Sequence, residues 1–267
     1  MKLGCSTLLY GLHSVDDALK GIKKAGYDAI ELCAIPGMGL HVEPGKTVAE
    51  YRALKQKISD HGLIIESIGA SGNDPYDPAP DSKFRKLMEA AAILGAPALT
   101  TGSGGKSDNP DDMKRAAEVF NKLAEFGKST GVKVSIKPHV GGAVYNTPSS
   151  LEFMKLVDTK WIGLNVDPSH LWRGAKWEAG EESIPKLAKH LFTARIRDTL
   201  SHDLPIGPVE TQVPGGGAMN LKAIMEAYKK VPGLQIVTVE IVGTAKWELN
   251  KIQEVVEKSY AALKPLA

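Results

Sequence analysis

Residues 110–139 read PDDMKRAAEVFNKLAEFGKSTGVKVSIKPH and hold one complete helix-to-strand unit. Pro110 suits a helix start and Gly131 a helix stop, and the apolar run Val132–Pro138 that follows reads as a strand. The same alternation fills the chain. Strands are predicted at Lys2–Thr7, Asp28–Ile35, Leu63–Ala70, Ala96–Thr101, Val132–Pro138, Trp161–Asp167, Leu191–Arg197 and Leu234–Ile241, eight in all. Ser14-Val-Asp-Asp opens a helix that closes at Ala25-Gly26, and Thr47-Val-Ala-Glu opens another, as a capping box, that closes at His61-Gly62. Further helices are expected from Ser82 to Gly95, from near Asn146-Thr-Pro, and from Ala245 to Leu263, where Ile252, Val255, Val256 and Tyr260 recur at helical spacing.

Repeated βα units imply a parallel sheet, either doubly wound or closed. Even spacing, and no dinucleotide fingerprint after the first strand, favour an α/β fold in which residues 1–267 form a single-domain (β/α)8 TIM barrel. No low-complexity linker divides the chain. In such a barrel chemistry belongs at the C-terminal ends of the strands.

With 33 Lys+Arg against 31 Asp+Glu, the net charge of +2 argues against a nucleic-acid partner. No apolar run is long enough for a membrane span and no signal-peptide core is present, so the expectation is a soluble, cytoplasmic protein, with a homo-oligomer left open. Cys5 and Cys33, each in a predicted strand, read as buried reduced thiols.

Charged residues end four consecutive strands. Strand 5 ends in Lys137-Pro138-His139, and strand 6 in Asn165-Val-Asp167-Pro-Ser-His170 before a loop with Trp172, Arg173 and Trp177. Strand 7 ends in Arg195-Ile-Arg197-Asp198, then His202 and the loop Pro214–Gly217, and strand 8 ends in Glu240. Glu31 and His41 follow strand 2. Charged groups converging on a barrel mouth are rarely there without pairing or function. The run Thr101–Lys106 lacks the first glycine of a phosphate loop and reads as a tight turn, and Pro214–Gly217 reads as a loop entering the next helix. The tryptophans suit either stacking on a sugar face or packing of their loop.

In these residues the chain resembles the sugar phosphate isomerase/epimerase family, the xylose isomerase-like TIM barrels that include ketose 3-epimerases and inosose-processing enzymes. The resemblance is carried by Tyr27–Leu32, Gly163–His170, Arg195–Asp198, the glycine loop, and Val237–Glu240. It implies one divalent metal (Mn, Mg or Zn) held by a Glu, an Asp, a His and a Glu ending strands 5 to 8, with the two glutamates moving protons beside a carbonyl that the metal polarises. Position by position it puts Asp167 and Glu240 on metal ligands and His170 on substrate oxygens, but Lys137 replaces the first Glu and Arg195 the His.

Lysine must lose its proton to ligate and arginine essentially never does, so no metal is expected. If one binds, Asp167, Glu240 and His139 or His170 would hold it. The leading expectation is an isomerase, epimerase or related lyase acting on a small keto sugar or polyol. Lys137 serves as electrophile, Glu240 as base, His170 as a third catalytic group, and His139, Arg195, Arg197, Trp172, His202 and Glu31 contact the substrate. Lys137 and Arg195 are expected to pair with Asp167 and Glu240. The alternative is a non-catalytic carbohydrate-binding barrel in which those ion pairs only fill a dead site.

Overall fold

The computed structural model describes residues Met1–Ala267. Its frame is eight strands, β1 (Lys2–Ser6), β2 (Ala29–Ile35), β3 (Ile64–Gly69), β4 (Ala98–Gly102), β5 (Lys133–Lys137), β6 (Ile162–Val166), β7 (Leu191–Ile196) and β8 (Ile236–Val239). Each pairs in parallel with the next. Because β1 is hydrogen-bonded to both β2 (Gly4 opposite Ala29) and β8 (Leu3 opposite Val237), the sheet closes into a barrel. All eight expected strands are present, with ends that differ by at most two residues, since terminal residues turn into loops and lose their ladder partners. A two-residue strand, Gly39–Leu40, folds back antiparallel on the end of β2.

Helices α1 (Val15–Ala25), α2 (Val48–Asp60), α3 (Lys83–Leu94), α4 (Pro110–Thr130), α5 (Thr147–Leu156), α6 (Gly180–Leu187), α7 (Leu221–Lys229) and α8 (Leu249–Leu263) return the chain between strands and after β8. Their ends follow local chemistry. The Ser14 hydroxyl accepts from Asp17 N, Thr47 and Glu50 form a reciprocal capping box, and Gly131 at φ 75 stops α4 in the left-handed region. The last helix starts later than expected, because Trp247 N donates to Thr244 O in a turn that delays it to Leu249. Short helical turns, Pro168–Leu171 and Val209–Gln212, follow β6 and β7.

Period-2 alternation divides the strands into two environments. Ile30, Leu32, Val134, Ile136, Leu164, Val166, Ala194, Ile196, Val237 and Val239 are fully buried members of the apolar core, and a large aliphatic side chain there contributes about 1.5–3 kcal/mol. The alternate positions carry Glu31, Ser135, Thr193, Arg195 and Thr238, so the barrel interior is unusually polar. Ser135 and Thr193 share a 2.8 Å hydroxyl hydrogen bond between β5 and β7. Cys5 and Cys33 are buried free thiols, and burial pushes Cys33 up to about 12. No helix is long and apolar enough to cross a membrane.

Candidate functional site

The charged side chains at the strand ends form two layers. In the lower layer, Arg195 of β7 is wholly buried and reaches across the barrel to β2 and β3. Its Nη1 donates to both carboxylate oxygens of Glu66, at 3.2 and 3.1 Å, and its Nη2 donates to Glu31 Oε1 and to Ser67 Oγ. Thr100 Oγ1 also donates to Glu31 at 2.8 Å. Burial works against the charge on Arg195, but Glu31, Glu66 and Glu240 outweigh it and keep the guanidinium protonated. Burial also pushes Glu66 up, against the pull of Arg195.

This arrangement changes two expectations. Arg195 forms the expected ion pair with Glu240, its Nε lying 3.4 Å from Oε2, but none with Asp167, and neither Arg195 nor Glu31 lines the cavity at the barrel mouth. Both side chains are buried and bonded to one another inside the barrel. The partner missed in the sequence, Glu66, was visible as a lone acid inside the apolar stretch Ile64–Gly69.

The upper layer lines a cavity of about 330 Å³ at the C-terminal mouth, with Lys137, His139, His170, Arg173, Arg197 and Glu240 in its wall and the apolar side chains of Leu8, Ile35, Leu204 and Ile206 around them. Lys137 Nζ donates to both oxygens of Glu240, at 2.6 and 2.7 Å, and lies 4.0 Å from Asp167 Oδ2. Burial raises the proton affinity of Glu240, but Lys137, Arg197 and Arg195 together hold it down to about 2.

Arg197 Nη2 stands 3.0 Å from Asp167 Oδ2 as an ion pair and 2.8 Å from His170 Nε2, while its Nε donates to Ser169 Oγ. On the other side of the same imidazole, Arg173 Nη2 lies 2.8 Å from Nδ1. A neutral imidazole offers one acceptor nitrogen, so only one of these guanidinium contacts is a hydrogen bond at a time. Burial, then Arg197 and its other cationic neighbours, hold His170 well below its ordinary range, which keeps it neutral. The His139 ring lies 4.0 Å from that of His170. His139 is lowered by burial too, and with Nδ1 on Val140 O at 2.9 Å its Nε2 has no protein partner. Arg173, which the sequence placed only in a loop, also ties Ser169 O to Leu204 O through its Nε and Nη1, bracing the β7 loop beside the cavity.

Two expected contacts lie elsewhere. Trp172 and His202 do not line the cavity. They form an aromatic cluster with Trp177, whose ring stacks on His202 at 4.2 Å, and His202 Nδ1 is bound to Trp172 O, so these side chains join the β6 and β7 loops. The glycine loop is likewise occupied by the protein. The Asp198 carboxylate accepts from Thr199 N, Gly215 N and Met219 N, wrapping the loop around one buried acid. A larger groove, about 810 Å³, runs along α8 beside Val209 and Lys246, away from the strand ends.

A divalent cation does not suit this donor set. Lys137 already bonds Glu240 and Arg197 already pairs with Asp167, so an ion there would meet two fixed cations. Arg195, at the position of the family's histidine ligand, offers no lone pair. No group of three His, Cys, Asp or Glu side chains comes together as a metal site.

A closed parallel barrel with ionisable side chains gathered at the C-terminal mouth is the architecture of the TIM barrels. Within it, this chain belongs to the xylose isomerase-like TIM barrel family, whose model matches residues 19–264. It is 27% identical over 232 residues to the uncharacterised protein YfiH of Bacillus subtilis, covering 74% of each chain. It is also 27% identical over 169 residues to inosose isomerase of Bacillus subtilis, covering 60% of this chain and 59% of that protein. Among solved structures it superimposes on a D-psicose 3-epimerase with a TM-score of 0.78 at 17% identity, over 100% of this chain and 99% of that one. It also superimposes on the IolI protein with a bound zinc atom, with a TM-score of 0.75 at 19% identity over 99% of both chains. These structural likenesses bear out the fold expected from the sequence.

Proposed function

We propose that the protein is an enzyme of carbohydrate metabolism that takes a proton from the carbon beside the carbonyl of a small keto sugar or ketone-bearing polyol, and so isomerises, epimerises or dehydrates it. Lys137 takes the polarising role. The observation that carries this reading is the Lys137 ammonium held on Glu240 at 2.6 and 2.7 Å in the cavity wall. A fixed ammonium can donate to a carbonyl oxygen and stabilise the oxyanion that forms as the proton leaves. Relatives that act on inosose support the reaction class.

While Lys137 bonds both of its oxygens, Glu240 is a weak base. A substrate oxygen that draws Nζ away raises the proton affinity of Glu240 at the moment a proton acceptor is needed, which couples the two roles. Neutral His139 supplies an acceptor, Nε2, for a substrate hydroxyl. His170, held between two guanidiniums, orients Arg173 and Arg197 rather than moving a proton.

The test is solvent-deuterium incorporation into a panel of keto sugars, with the metal content of the purified protein measured and the assay repeated in chelator. We expect exchange that survives chelation and is abolished in Glu240→Gln. Exchange that requires stoichiometric metal would sink the lysine mechanism, and no exchange with any substrate, alongside intact ligand binding in Glu240→Gln, would favour a binding barrel.

A further inference from the structure

The side chains of the mouth do not balance in charge. Lys137, Arg173 and Arg197 face Asp167 and Glu240, three cations against two carboxylates. The layer beneath, Arg195 with Glu31 and Glu66, is closed on itself by hydrogen bonds and does not line the cavity. One of these cations keeps a free donor in the cavity wall, because Arg197 uses Nε and Nη2 within the protein and leaves Nη1 without a protein partner.

We infer that the mouth takes a monoanionic carboxylate substrate, a small keto acid or sugar acid, in preference to a neutral ketose or a phosphate ester. One carboxylate matches the single excess charge and offers one oxygen to Arg197 Nη1 and the other to Lys137, which line the same cavity. A phosphate dianion would overshoot that charge beside Glu240 and Asp167, and a neutral sugar would leave it unanswered. The volume agrees, because about 330 Å³ lies at the small end of ligand cavities.

The inference rests on the mouth being the substrate site, and equilibrium binding tests it separately from the chemistry. Isothermal titration of the full-length protein uses three six-carbon probes, namely 5-keto-D-gluconate, D-fructose and D-fructose 6-phosphate. The keto acid is expected to bind at least about tenfold more tightly than either comparison. Its affinity should fall severalfold as NaCl rises from about 20 to about 300 mM, as screening shortens the reach of the cations. Arg197→Gln should weaken it about tenfold or more, and Arg197→Lys, which keeps the charge, should recover part of the loss; circular dichroism checks that both fold. Equal or tighter binding of D-fructose or of the phosphate ester, salt-independent affinity, or no binding of the keto acid overturns the inference. Keto-acid binding without deuterium exchange would overturn the proton-abstraction reading and leave this one standing, whereas exchange of neutral sugars with no keto-acid preference would do the reverse.

Discussion

Replacing Lys137 by Met removes the ammonium and keeps most of the apolar stem. Nζ lies 2.6 and 2.7 Å from the two oxygens of Glu240, and at an effective dielectric of about 20 that contact is worth about 6 kcal/mol gross. Desolvation of the ammonium returns several kcal/mol, leaving about 2–4 kcal/mol net to stability. Glu240 should therefore climb from about 2 toward or beyond the ordinary carboxylate range, because its burial is then less compensated. In the parent protein the depressed Glu240 contributes stability above the unfolded carboxylate pKa that is lost as pH falls toward 2. The variant lacks that contribution, so its deficit, about 2–4 kcal/mol near pH 7, should shrink in acid. Urea denaturation at several pH values reads this, and deuterium exchange reads the chemistry. Loss of one oxyanion donor predicts a rate about 100- to 1,000-fold lower. Full exchange in Lys137→Met would refute Lys137 as the electrophile, and a pH-independent stability deficit would refute the coupling to Glu240.

Arg195→Met leaves Glu31 and Glu66 facing one another without their shared cation, and should destabilise by about 3–5 kcal/mol at neutral pH, with partial recovery in acid as Glu66, which burial already pushes up, takes up a proton. Unchanged denaturation curves would show that the lower layer is not held by this pair. In Gly217→Ala the added Cβ would stand 2.3 Å from Asp198 Oδ1 and 2.6 Å from Thr199 O, and should cost about 1–3 kcal/mol in thermal denaturation. A melting curve identical to the parent's would mean that the loop relaxes freely around Asp198.

The sequence by itself determined the βα alternation, because capping and stop residues such as Ser14, Thr47 and Gly131 act within one turn of chain and strand patterning is local. It also determined which charged residues end which strands, and that Lys137 and Arg195 stand at two positions where the family has metal ligands. Only the tertiary structure decided what those cations do. Lys137 meets Glu240 across 103 residues of sequence, and Arg195 meets Glu31 and Glu66 across 164 and 129. Such pairings depend on barrel closure, which brings distant strands together. Two cations that look equivalent in sequence part company because Arg195 turns inward onto Glu31 and Glu66 and is sealed into the barrel interior, while Lys137 stays in the cavity wall on Glu240.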